Sequence, residues 1–128
     1  MKILDSDHCI AILRGQLDLQ ARISSDEEIA VTVISIAELT HGSHKSSRPV
    51  ENLEKLDVLL SAAVILEFDE AAARQFGQLK ASLERSGNIV ADLDLQIASI
   101  ALTHDATLAT HNQKHFSRIP NLKLEDWL

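Results

Sequence analysis

Apolar residues follow two rhythms along this chain. Residues 2–5, the run Ile29-Ala30-Val31-Thr32-Val33-Ile34, Val64-Ile65-Leu66, residues 107–110 and Leu122-Lys123-Leu124 have the length and composition of strands. The nearly unbroken apolarity of 29–34 suits a strand covered on both faces. Between these runs the apolar positions recur at helical spacing: Ile10 and Leu13; Leu53, Leu56, Leu60 and Ala63; Ala72, Phe76, Leu79 and Leu83; Leu93, Ile97, Ile100, Ala101 and His104. Terminal signals agree with this division. Asp7 is placed to cap the first helix and Gly15 to stop it, Ser35 to open a helix reaching about Gly42, and Pro49 to occupy a first helical position. Asp69 opens the next helix, Ser86-Gly87 closes it, and Asp92 or Asp94 starts the one after. The order strand, helix, strand, helix, helix, strand, helix, helix, strand, strand predicts an α/β fold. Its sheet is small, twisted and parallel, with right-handed crossovers and helices on both faces.

At 128 residues, 45% hydrophobic and 24% charged, the chain is expected to form one domain over residues 1–128 with its own core. Three Phe, one Trp and no Tyr leave little for a base-stacking surface, so any nucleic acid would be held by its backbone. Cys9 is the single cysteine, which excludes an internal disulfide; between Cys9 as nucleophile and Cys9 as small buried hydrophobe, its neighbours Ile10 and Ile12 favour the second. No apolar run reaches membrane-spanning length, and the expected compartment is the cytoplasm. A net charge of -7 opposes a general nucleic-acid binder, unless the acids are concentrated at a site where a cation reverses the local field.

Four oxygen-bearing side chains stand in matching contexts. Asp5 ends the first apolar run, Glu38 lies in Val33-Ile34-Ser35-Ile36-Ala37-Glu38-Leu39, Asp94 starts Asp94-Leu95-Gln96-Ile97-Ala98, and Asn112 closes Leu108-Ala109-Thr110-His111-Asn112. Residues that follow parallel strands collect at the carboxyl edge of the sheet, where such folds bind ligands. Carboxylates gathered there repel one another unless a divalent cation intervenes, and hard oxygen ligands select Mg2+ or Mn2+ over zinc. The six histidines do not argue otherwise, because neither His41 with His44 nor His111 with His115 has a zinc-site partner at the required spacing. Each acid also has an ordinary reading: Asp7 and Asp92 as helix caps, Glu38 as a solvated helical residue, Asn112 as a turn residue. Arg14, Lys45, Lys114 and Arg118 are candidates to grip phosphates.

Taken together, Asp5-Ser6-Asp7 after an apolar strand, Ile36-Ala37-Glu38-Leu39, Asp92-Leu93-Asp94-Leu95-Gln96-Ile97-Ala98, Leu108-Ala109-Thr110-His111-Asn112 and the tail from Phe116 to Trp127 resemble the PIN domain. Within that family they resemble the VapC-type toxins of bacterial toxin-antitoxin pairs. The resemblance implies a single PIN-like domain and a Mg2+- or Mn2+-dependent endoribonuclease that hydrolyses RNA with a metal-activated water. It further implies a cognate antitoxin protein that places a basic side chain in the acidic cleft, and a homodimer. Asp5, Glu38 and Asp94 would be the catalytic acids, Asp5 and Asp94 holding the principal ion and Glu38 a second ion or the attacking water. Asn112 would be a fourth metal position that is Asp in many relatives. Ser6 stands where Thr is usual and His115 where an acid is common. Ser6, Asp7, His41, Asp92 and Thr110 would contact phosphate or support the ligands from behind.

Two rivals differ in kind. A catalytically silent PIN-like protein-binding module would account for Asn112 and His115, both weaker metal ligands than carboxylates. A phosphatase of the haloacid dehalogenase type would use Asp5-Ser6-Asp7 as its Asp-x-Asp pair, although Cys9 and the downstream pattern disagree with that family.

Overall fold

Five short strands and six helices alternate along the computed structural model, which describes residues 1–128. Strand β1 (Lys2–Leu4) leads into helix α1 (Ser6–Leu13), and β2 (Ile29–Thr32) into α2 (Val33–Lys45) and α3 (Pro49–Ser61). Strand β3 (Val64–Leu66) is followed by α4 (Glu70–Ser86) and α5 (Asp92–Thr103), and β4 (Thr107–Ala109) by the short α6 (Gln113–Phe116) and then β5 (Lys123–Glu125). Every neighbouring pair of strands is parallel, in the order β3-β2-β1-β4-β5. The predicted α/β class therefore holds. The chain winds outward from β1 through β2 to β3, then returns to the other side of β1 for β4 and β5. The carboxyl ends of β1 and β4 flank the point where the winding reverses, the place where open parallel sheets form a ligand crevice.

Alternation along the strands divides the core in two. Ile3, Ala30 and Leu108 turn to the face covered by α4 and α5, where they meet Ala72, Leu79, Leu83, Leu95, Ile97, Ala98 and Ile100. Their neighbours Leu4, Val31 and Ala109 turn to the opposite face and pack with Cys9 and Ala11 of α1, Leu39 of α2, and Leu56 and Leu59 of α3. Burying each such leucine or isoleucine side chain contributes about 1.5–3 kcal/mol. Cys9 is fully buried, and burial first, then the charges of Asp5 and Asp7, push its thiol up to about 12, as suits a small core residue.

Several predicted boundaries move. The cap of α1 is Asp5, whose side chain accepts the Ser6 N–H, because Asp5 keeps extended backbone while Asp7 is already helical. Strand β2 ends at Thr32 rather than Ile34, since the Thr32 hydroxyl accepts the Ser35 N–H and starts α2 three residues earlier than predicted. Ser35 is consequently buried inside the helix, which runs past Gly42 to Lys45. On α5, Leu93 is 54% exposed, and the buried side is built from Leu95, Ile97, Ala98, Ile100 and Ala101. Ala91 precedes that helix without a side-chain cap, so neither Asp92 nor Asp94 caps it; both lie in its first turn. Leu122 lies just outside β5, and α6 and a 3-10 turn at Leu19–Ala21 were not foreseen.

Candidate active site

Asp5 leaves β1 at the middle of the carboxyl edge and is 8% exposed. Its Oδ1 accepts the Ser6 N–H at 2.9 Å and its Oδ2 accepts the hydroxyl of Thr110, just past β4, at 2.7 Å. Burial nevertheless holds its pKa above the ordinary aspartate value. The Thr110 and Ser6 hydrogen bonds offset part of that rise, and the negative charges of Asp7 and Asp94 add to it. Thr110 is fully buried and also accepts the Asn112 N–H at 3.0 Å, so one hydroxyl couples Asp5 to the loop after β4.

Asp7 lies half a turn further along α1 and behaves in the opposite way. Burial would raise its pKa, but a hydrogen bond from the His8 ring (2.7 Å) and one from the His111 N–H (2.9 Å) outweigh it and keep the carboxylate charged. His8 is 0% exposed and accepts the Trp127 N–H on its other nitrogen at 3.0 Å.

Glu38 projects from the open side of α2. Desolvation and then the charge of Asp5 raise its pKa, with smaller contributions from Asp94 and Asp7, against a lowering effect of the Ser6 hydroxyl. That hydroxyl lies near Glu38 without a hydrogen bond of ordinary geometry, and it is the one buried side-chain polar atom in the protein that lacks a partner. Asp94, in the first turn of α5, is raised by burial and opposed by His115. The Asn112 amide reaches its Oδ2 at 3.5 Å and His115 Nδ1 stands 3.8 Å from the same oxygen. Asn112 and His115 are themselves joined at 3.1 Å.

The sheet edge thus brings Asp5, Asp7, Glu38 and Asp94 into each other's electrostatic field, with Ser6, Thr110 and Asn112 around them. Two expected members are elsewhere. Asp92 is exposed and pairs with Lys80 of α4 at 3.0 Å, which ties α4 to α5 instead of serving the site. His41 is exposed on α2 and makes no hydrogen bond or ion pair. Three residues that sequence reasoning passed over join the network: His8, the His111 backbone N–H, and Gln113, whose amide donates to the Thr110 carbonyl at 2.7 Å. The Asp7-His8 dipeptide gave no periodic or spacing signal, since its significance depends on a segment 119 residues away. Beside Glu38, a cavity of about 250 Å³ opens between α1, α2 and α3, with Arg14 and Lys55 on its wall.

No three His, Cys, Asp or Glu side chains converge closely enough to cage a metal ion, and the oxygens of Asp5 and Asp7 are engaged by Thr110, His8 and His111. The donor set still fits a hard cation. Asp5, Glu38 and Asp94 share a region where each is held above its ordinary pKa and no lysine or arginine lies within ion-pair distance of them. The unpartnered Ser6 hydroxyl adds an oxygen to the same spot. Magnesium keeps several waters and takes only one or two protein carboxylates, so a full protein cage is not required.

The chain resembles known proteins over nearly its whole length. A family model described as PIN domain matches residues 2–122. Ribonuclease VapC2 of Rickettsia felis is 37% identical over 129 residues, covering 98% of this chain and 96% of that protein. A tRNA(fMet)-specific endonuclease VapC of Shigella flexneri is 30% identical over 127 residues, with 98% and 96% covered. Among solved structures, VapBC2 from Rickettsia felis bound to a DNA fragment from its promoter superposes with a TM-score of 0.91 at 36% identity, covering 99% of this chain and 98% of that one. DNA-bound VapBC from Salmonella typhimurium gives 0.91 at 30% identity, with the same coverage.

Proposed function

The chain belongs to the PIN-domain family, and from that membership we propose that it is a divalent-metal-dependent endoribonuclease, the toxin of a toxin-antitoxin pair. One observation carries the reading: Asp5, Glu38 and Asp94 lie within one another's electrostatic field at the carboxyl edge of the sheet, each with its charge disfavoured by burial and none neutralised by a lysine or arginine. The relatives named ribonuclease and endonuclease support it. The phosphatase reading falls with this membership.

Asp5 and Asp94 would hold Mg2+ or Mn2+, with Asn112 contributing its amide oxygen. When bound, such a cation supplies positive charge to the scissile phosphate and makes a nearby water more acidic. Glu38, held above its ordinary pKa, is suited to orient the attacking water and to receive its proton. Thr110 fixes the direction of the Asp5 carboxylate through its hydroxyl. Ser6 offers an unsatisfied hydroxyl to a water or a phosphate oxygen. Arg14, on the wall of the cavity beside Glu38 and without an acidic partner, would take a neighbouring phosphate of the RNA.

The solved VapBC relatives support an antitoxin partner for this chain, and the acidic cleft suits a basic segment of it. We also propose a homodimer acting in the cytoplasm; no helix is long and apolar enough to cross a membrane. Asn112 and His115 beside Asp94 favour one competing reading, the catalytically silent binding module. The decisive experiment combines RNA cleavage with Mn2+ calorimetry. Wild-type protein should bind Mn2+ and cut RNA, with initiator tRNA as first substrate, and both properties should vanish in Asp5→Asn and Asp94→Asn. Wild-type protein that neither binds Mn2+ nor cuts RNA would establish the silent module instead.

A further inference from the structure

We infer that His8 is a positioning residue for the reaction: its Nδ1–H aims Asp7 at the loop after β4, and the backbone N–H of Trp127 fixes the ring tautomer that allows it. The inference rests on the nuclease reading above. His8 is wholly enclosed, and a polar ring is a costly choice for such a place unless both nitrogens are used. Both are. Trp127 N–H donates to Nε2 at 3.0 Å, so that nitrogen carries the lone pair and the proton of the neutral ring sits on Nδ1. Nδ1–H donates to Asp7 Oδ1 at 2.7 Å.

The other Asp7 oxygen then accepts the His111 N–H at 2.9 Å, which pins the loop at the residue after Thr110. Thr110 in turn donates to Asp5 Oδ2 at 2.7 Å. A continuous path therefore runs from the C-terminal segment through His8 and Asp7 to the carboxylate at the centre of the site. The far end of the path is itself anchored. The Trp127 indole lies edge-on to the His8 ring at 5.5 Å between centroids and donates to Glu125 Oε2 at 2.9 Å, and the Asp126 carboxylate holds His111 Nδ1 at 2.9 Å. A leucine at position 8 would fill the volume and make none of these links.

Groups that orient metal-binding side chains from behind typically cost about 10–100-fold in metal affinity or activity when removed. Two substitutions separate the two nitrogens. His8→Asn places an amide N–H where Nδ1 stands and needs no tautomer set for it, so the Asp7 contact survives and the Trp127 contact is lost. His8→Gln carries its amide oxygen to the Nε2 position, which keeps Trp127 and abandons Asp7. The expected result for His8→Gln is a kcat lower by at least about tenfold with KM within about twofold, and faster amide exchange at His111. For His8→Asn, kcat stays within about threefold of wild type, His111 remains protected, and the emission of Trp127, the only tryptophan, shifts to the red.

Wild-type kcat in a folded His8→Gln protein, or equal losses in the two variants, would overturn the inference. Nitrogen-15 NMR of the wild-type ring decides independently of either variant's folding: protonated Nδ1 supports the path and protonated Nε2 breaks it. If wild-type protein cuts no RNA, the nuclease reading has failed, while the ring tautomer and His111 exchange still judge the path.

Discussion

Replacing Asp5 by asparagine removes one charge and little else. Asparagine caps helices as well as aspartate does, so the Ser6 N–H keeps its acceptor, whereas alanine there would cost about 1 kcal/mol. The new amide NH2 would face Thr110 Oγ1, and the Thr110 proton could turn to Asp7 Oδ2, which already lies at 3.5 Å. The lost charge is one that burial disfavours and that Asp7 and Asp94 repel. In EDTA at pH 7 the variant should accordingly unfold within about 1 kcal/mol of wild type, the net worth of a single rearranged hydrogen bond. Mn2+ separates the two proteins. A cation at a hundred times its dissociation constant stabilises the fold by about 2.7 kcal/mol. For a domain of this length that is a rise in melting temperature on the order of 10 °C. Wild type should show the rise and Asp5→Asn should not. Cleavage should fall roughly a thousandfold, the equivalent of several kcal/mol of transition-state charge stabilisation. Thermal melts with and without Mn2+, beside gel-based cleavage of RNA, measure all three quantities. A variant that melts many degrees lower in EDTA, gains the same stability from Mn2+, or cuts RNA within tenfold of wild type would refute the reasoning.

The same carboxylate governs a pH effect in EDTA. Because the Asp5 pKa is raised by folding, the native state holds the extra proton more tightly, and wild type loses stability as pH rises from the ordinary aspartate value through the raised one. Denaturant titrations across that window should show Asp5→Asn gaining on wild type as pH rises; a constant or narrowing gap contradicts the assignment. Cys9, with its thiol pushed up to about 12 inside the core, should resist thiol reagents in native protein and react at once in guanidinium, and labelling at equal rates in both conditions would contradict its burial. Leu108→Ala, at a fully buried site in β4, should lower unfolding free energy by about 2–5 kcal/mol in urea. A loss under 1 kcal/mol would mean that the α4–α5 side of the core is less tightly packed than described.

Most of the architecture was legible because the strands are read by composition and the long helices by period. Val64-Ile65-Leu66 is strand-like at any position, and Ala72, Leu79 and Leu83 of α4 fall on one helical face. The failures share a cause: choices settled by tertiary contacts. The 29–34 run is uniformly apolar, so nothing local marks Thr32 as its end, yet the buried Thr32 hydroxyl starts the helix there. Leu93 keeps the helical spacing but stays 54% exposed, since no tertiary contact covers it. At the site, Asp5 was visible as a residue that follows a strand, while Thr110, read as the end of a strand, was singled out only by the family resemblance. Asp94 stood apart from Asp92 by the Leu-x-Ile-Ala run that follows it, whereas a supporting role for Asp92 was expected because nothing local shows that Lys80 of the neighbouring helix pairs with it. His8 was illegible because its partners come from opposite ends of the chain.

Charge connects the site to what it can bind. The excess of acids that gives a net charge of -7 is uneven. Lys2 is taken by Glu27 and Glu125, Arg48 and Lys55 by Glu51, Arg74 by Glu70, Lys80 by Asp92 and Lys123 by Asp105. Asp5, Asp7, Glu38 and Asp94 receive no lysine or arginine, only His8 and His115. Exposed acids elsewhere, such as Glu28, Glu54, Asp57 and Glu67, also lack a lysine or arginine, but solvent screens them singly, whereas these four share one partly buried edge of the sheet and raise one another's cost of charge. A metal ion bound there presents positive charge that a phosphate can approach. Without one, the same surface repels RNA and attracts a basic side chain. An antitoxin that inserts such a side chain would satisfy the acids directly, so metal with substrate and antitoxin compete for one pool of unneutralised charge. For the proposed nuclease toxin, inhibition would draw on the same electrostatics that catalysis needs, and a substitution that removes one acid should weaken both.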